Sequence, residues 1–90
     1  MFDPKVIKND FPIFHSNPQL AFLDNASTTQ KPQIVIDKIN EYYTQYNANV
    51  HRGIYKIGEK ATFEYEAVRK QVLDLLSADD SFSAIYTSGT

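Results

Sequence analysis

Ninety residues, 42% of them apolar and including six Phe and six Tyr, suffice for one modest core and are too apolar for wholesale disorder. Nine basic against eleven acidic side chains leave a formal charge of −2, which argues against a nucleic-acid footprint or a polybasic membrane anchor. With no cysteine, these residues hold no disulfide framework, no thiolate metal site and no cysteine nucleophile.

Met1-Phe2-Asp3-Pro4 lacks the basic-then-apolar layout of a secretory signal, and no apolar run of ~20 residues follows, so the cytosol is the expected compartment. Asp3-Pro4 predicts a helix start, with Asp as N-cap and Pro in the first turn, where its missing N–H costs nothing. Pro12 disfavours helical geometry at Phe11 and keeps that helix short, with Val6, Ile7 and Phe11 on one apolar edge. Ser16-Asn17-Pro18 reads as loop, and Leu20-Ala21-Phe22-Leu23 as a brief buried strand.

Asp24 to Thr29 is a polar turn. A second helix is expected from Pro32 to about Tyr46, with Val35, Ile39, Tyr42 and Tyr46 in its stripe and Asn47 as a left-handed terminator. Ala48 to Gly58 reads as irregular, with Gly53 and Gly58 as its flexible points. A third helix is expected from about Glu59 to Leu76, carrying apolar Ala61, Tyr65, Val68, Val72 and Leu75/Leu76 and a favourable Glu66–Lys70 pair. Phe82 to Thr87 then reads as a second strand, ending in the turn Ser88-Gly89-Thr90.

Two strands some sixty residues apart, with mainly helix between them, make a poor self-contained sheet, so the layout is expected to belong to a larger fold.

Three constellations could carry chemistry. A strand followed by Ser88-Gly89-Thr90 could offer N–H groups and hydroxyls to a phosphate, or be an ordinary turn. Asn49-Val50-His51-Arg52-Gly53 places an imidazole and a guanidinium in one loop, suited to an anion or merely solvated. Asp24 to Thr29 could grip a carboxylate through its backbone, or cap the helix that follows. His15 and His51 share no metal-ligand spacing. Lys38, Lys60 and Lys70 fall on helices away from the apolar stripe, and Lys5, Lys8, Lys31 and Lys56 at ends or in loops, so none suits a Schiff base.

In this order, "LDNASTTQKP", "YNANVHRG" and "IYTSGT" resemble the beginning of a cysteine desulfurase of the Suf-type, NifS-like branch of the class V aminotransferases. The likeness runs from "DFPIF" to the last residue. It implies an α/β chain, the amino-terminal portion of a fold-type-I transferase dependent on pyridoxal phosphate, mainly helical by itself with two short strands. About 1–58 would be the small-domain arm, and about 59–90 the first helix and strand of the large domain.

The resemblance further implies a homodimer that converts L-cysteine to L-alanine and an enzyme persulfide. The sulfur would pass to an acceptor protein of iron–sulfur cluster assembly. Gly89 and Thr90 match the start of the phosphate-binding turn, with Thr90 as the candidate phosphate contact. Asn25 and Ala26 match a segment near the substrate carboxylate, and His51 and Arg52 a loop at the active-site entrance and dimer interface. Ser27 stands where many relatives carry Ala, and Ser88 where the Suf branch often carries Arg.

The family's Schiff-base lysine and persulfide cysteine have no counterpart in residues 1–90, so no catalysis and no stable cofactor complex are expected of these residues alone. A selenocysteine lyase or kynureninase-like enzyme, and a non-catalytic helical interaction or dimerisation module, are the alternatives.

Overall fold

The computed structural model describes residues 1–52 and 54–89, which divide into two compact units, Met1–Glu41 and Tyr42–Thr90. Gly53, expected as a flexible point, lies outside the described residues.

The first unit opens as its sequence predicts. Helix α1, Pro4–Lys8, follows an extended Asp3 whose carboxylate accepts the Lys5 N–H at 2.9 Å, and Pro4 occupies the first turn. A second short helix, α2 at Ile13–Ser16, falls just after Pro12, where the sequence suggested only a loop beginning at Ser16. The Asn17 side-chain amide closes it on the Ile13 carbonyl at 3.0 Å. Phe11 and Phe14 meet edge to face at 6.3 Å beside it. Helix α3, Gln33–Glu41, starts directly after Pro32, whose carbonyl accepts the Val35 N–H at 3.0 Å.

The second unit begins with Tyr42–Tyr46 wound as a π-turn, where an α-helix was expected to continue. Its aromatic rings interlock: Tyr42 meets Tyr43 at 5.2 Å and Tyr46 at 5.4 Å, both edge to face. Helix α4 runs from Lys56 to Leu75, three residues earlier at its start than the spacing predicted. Gly58 is therefore not a loop hinge but a buried residue inside α4. The π-turn packs on α4, and Tyr46, Gly58 and Ala61 are the buried residues of this unit among those described. Small side chains at 58 and 61, one helical turn apart, leave room for an aromatic-rich partner to approach closely.

Asn47 does not provide the left-handed residue expected of it. Positive φ occurs instead at His51 (64°) and Ser77 (54°). At Ser77 it ends α4: the Ala78 N–H returns to the Leu73 carbonyl at 2.9 Å and the Ser77 N–H to the Asp74 carbonyl at 3.1 Å. This is the Schellman closure, with Ser where glycine is usual.

No strand forms among the described residues, which corrects the expectation for both Leu20–Leu23 and Phe82–Thr87. A strand exists only through a ladder partner, and neither segment finds one. The first is pinned by the Lys8 ammonium on the Leu20 carbonyl at 3.2 Å. The second is held by side chains of α4. Among the described residues no helix is long and apolar enough to cross a membrane.

Candidate functional site

Asn25 and Ala26 lie in the exposed turn of the first unit. The Thr28 N–H bonds back to the Asp24 carbonyl at 3.0 Å, and the Thr29 hydroxyl donates to the Asn25 carbonyl at 3.1 Å. The turn is thus tied to itself and does not cap α3. The first N–H of that helix, on Gln33, goes to the Asp10 carbonyl at 2.7 Å instead. Asn25, together with Phe11, Phe14, Phe22, Thr29 and Gln30, lines a groove of about 370 Å³.

His51 belongs to the second unit, in a loop that folds back onto α4. Its left-handed backbone conformation is one that non-glycine residues adopt sparingly. Two contacts hold it there. Its N–H donates to the Thr62 hydroxyl oxygen at 2.9 Å, and that hydroxyl donates on to the Gly58 carbonyl at 2.9 Å. Its ring Nε2 lies 2.6 Å from Glu66 Oε1, and its ring edge meets Tyr65 at 5.7 Å.

The His51 hydrogen bond and, after it, the Arg69 guanidinium hold Glu66 below the ordinary carboxylate value of 4.5, against an opposing effect of desolvation. An ionised Glu66 only accepts, so Nε2 carries the hydrogen and Nδ1 is the face left for other chemistry. A groove of about 360 Å³ opens beside His51, lined also by Glu59, Thr62 and Phe63. Arg52 is exposed, and its carbonyl accepts the Ile54 N–H at 3.2 Å.

Glu66 does not pair with Lys70 as its spacing suggested. Its second oxygen takes Arg69 Nε at 2.9 Å, while Lys70 turns to Asp74 at 2.7 Å. Arg69 reaches further. Nη1 donates to the Ala84 carbonyl at 2.5 Å, and the guanidinium carbon sits 4.6 Å from the Tyr86 ring centroid. The segment leading to Gly89 is thereby fastened to the same helix face as His51. Thr62, Tyr65, Glu66 and Arg69 form that face at positions i, i+3, i+4 and i+7.

Gly89 is exposed, with nothing within 4 Å of where a Cβ would stand, and its carbonyl accepts the Thr87 hydroxyl at 2.7 Å. Thr90 lies outside the described residues. The hydroxyl of exposed Ser88 and the backbone N–H of exposed Gly89 fit the phosphate end of pyridoxal phosphate by donor chemistry, with no neighbour within 4 Å of where a Gly89 Cβ would stand.

The lysines fit the aldehyde end poorly. Lys8, Lys31 and Lys60 each bond an oxygen within 3.2 Å. Lys70 is pushed up from 10.5 by its bond to Asp74, opposite to what an amine nucleophile needs. Sequence reasoning missed Thr62, Tyr65, Glu66, Arg69 and Tyr86 as site residues; the spacing of the first four was the available signal.

Residues 21–90 match the family Aminotransferase class-V. Across 97% of its length the chain is 43% identical to a protein of Streptomyces coelicolor named "Probable cysteine desulfurase", of which it covers 22%. Across 96% it is 40% identical to the cysteine desulfurase SufS of Plasmodium falciparum, of which it covers 16%. A solved apo structure of a cysteine desulfurase from Thermococcus onnurineus NA1 superposes on 88% of the chain with a TM-score of 0.72 at 35% identity, over 19% of that protein. The chain thus spans about a fifth of the length of the relatives it matches. It belongs to the class V aminotransferase family and is similar, almost from end to end, to cysteine desulfurases.

Proposed function

We propose that residues 1–90 are the amino-terminal part of a pyridoxal-phosphate-dependent cysteine desulfurase. In this reading sulfur leaves the Cβ of L-cysteine for an enzyme thiolate, giving L-alanine and a persulfide that feeds an acceptor protein of iron–sulfur cluster assembly. The cofactor, when bound, supplies the electron sink. Gly89 and Thr90 hold its phosphate, Asn25 and Ala26 lie near the substrate carboxylate, and His51 and Arg52 stand at the entrance, where the two subunits of a homodimer meet.

About 1–58 forms the arm of the small domain and about 59–90 the first part of the large one, in a cytoplasmic enzyme. The cofactor-bonding lysine and the sulfur-carrying cysteine belong to sequence outside these ninety residues, which contain no cysteine. The observation that carries this reading is the 43% identity over 97% of the chain to a protein named as a desulfurase. The fastening of His51 and of Ala84 and Tyr86, in the segment leading to Gly89, to one face of α4 supports it.

The test is the coding sequence downstream of the Thr90 codon and the protein it encodes. A continuous frame with a lysine and a later cysteine, whose product forms alanine from cysteine, is expected; a stop codon directly after Thr90 with alanine formed by the ninety residues alone would overturn the proposal. Mixing the chain with pyridoxal phosphate and reducing with borohydride should give scattered lysine labelling rather than one stoichiometric adduct.

A further inference from the structure

We infer that Arg69 is a positioning residue that ties the entrance histidine to the segment bearing the phosphate turn. Its Nε holds the carboxylate that orients His51. Its Nη1 and flat face hold Ala84 and Tyr86, the latter three residues before Gly89.

A guanidinium suits this task because its donors lie in a rigid fork and its faces stack on aromatic rings, so one group serves three partners at once. Lysine is a point charge on a flexible stem and would serve them one at a time. Helix α4 provides the fixed frame. Glu66 and Arg69 sit one turn apart on it, and Tyr65 receives both His51 at 5.7 Å and Tyr86 at 4.4 Å. The loop at 51 and the segment at 84–86 are far apart in the chain, and neither has a ladder to fix it. Their common purchase on α4 therefore sets the spacing between them. The naming of the two ends as entrance and cofactor turn rests on the proposed function; the tie itself does not.

Two variants of the ninety-residue chain test it by NMR, with circular dichroism reporting α4. Arg69→Lys is expected to lose both the His51 ring-to-Glu66 hydrogen-bond signature and the ring-current shifts at Tyr86. Glu66→Ala, a substitution that favours helix, is expected to lose the His51 signature and leave Tyr86 as it was. Should Arg69→Lys disturb the helix, the Glu66→Ala result decides alone. An Arg69→Lys chain with intact helix and unchanged His51 signals would overturn the inference, as would a Glu66→Ala chain that releases Tyr86. The coding sequence beyond the Thr90 codon separates this from the functional reading: a longer product that forms no alanine from cysteine, beside the expected variant results, would remove the cofactor assignment and keep the tie.

Discussion

The ring of Tyr86 lies 4.4 Å from that of Tyr65, inclined by 42°, and its hydroxyl donates to the Tyr65 carbonyl at 2.6 Å. One residue of an irregular segment is thus docked on α4 by both its face and its tip. Tyr86→Phe keeps the face and is expected to cost about 0.5–1.5 kcal/mol, the usual net value of one hydrogen bond. Tyr86→Ala removes the stacking on Tyr65 and Arg69 as well and should cost more. Denaturant unfolding followed by circular dichroism measures both, and equal losses would mean that the ring contributes nothing.

Ser77 ends α4 with φ of 54°, a conformation that crowds its Cβ against the following carbonyl oxygen. Glycine removes that crowding while keeping the two closing hydrogen bonds to Asp74 and Leu73. Ser77→Gly is therefore expected to stabilise the chain by up to about 1 kcal/mol, the strain relief being offset in part by glycine's greater freedom when unfolded. Ser77→Val, branched at Cβ, should move stability the other way. The thermal midpoints of the two variants relative to the parent check the order.

Tyr46 and Ala61, each 3% exposed, mark the well-packed centre of the second unit. Ala61 is buried against the π-turn, so the larger side chain of Ala61→Leu is expected to destabilise by about 1–3 kcal/mol through overpacking. Tyr46→Ala should cost about 3–5 kcal/mol, the range for emptying a buried aromatic position. A losing change in both directions, read by chemical denaturation, is the signature of tight packing; tolerance of Leu at 61 would show the centre to be loose.

Glu66 and Asp79 both sit below their ordinary values of 4.5 and 3.8, the first chiefly through His51 and the second through its bonds from Ser81. A carboxyl group lowered on folding contributes stability above its unfolded value, and that contribution is lost as pH falls through the lowered folded value. Acid should therefore loosen the His51 contact only below about pH 4.5. Lys70, raised from 10.5 by Asp74, contributes in the opposite sense: fully below 10.5, and lost as alkali takes pH through the raised value. Following the His51 ring signals from neutral pH downward checks the first limb. Their release well above 4.5 would show that Glu66 is not the group holding the ring.

What could be read from the chain was local. Asp3-Pro4 states its own helix start because the N-cap bond reaches only to Lys5, and the amphipathic spacing through Tyr65 and Val72 announces α4. The desulfurase likeness was legible for the same reason, as it resides in contiguous blocks such as Leu23 to Pro32. The strands misled because ladder pairing is not a property of the segment that pairs. Asn47 lost the left-handed position to His51, whose conformation is fixed by Thr62 and Glu66, residues 11 and 15 places away. Arg69 gave no local sign of its role for the same reason: its partners at Ala84 and Tyr86 are brought to it only by the turn at Ser77.

Phe82 to Thr87 is fastened at two points and otherwise open. Arg69 holds the Ala84 carbonyl and Tyr65 holds the Tyr86 hydroxyl, yet Phe82 and Ile85 remain 62% and 80% exposed. After the Phe82 N–H, which returns to the Asp79 carbonyl at 3.1 Å, the amides of Ser83 to Thr87 have no backbone acceptor among the described residues. Amides of this kind open with almost no free-energy cost, whereas those inside a packed helix exchange slowly. In dilute solution, hydrogen exchange should therefore be fast at Ser83 to Thr87 and slow from Ala61 to Leu73. An unpaired segment of this composition also offers an edge to another copy, so protection at these amides should rise with protein concentration. Protection equal to that of α4 in the dilute monomer would show that side-chain anchors alone can order this segment.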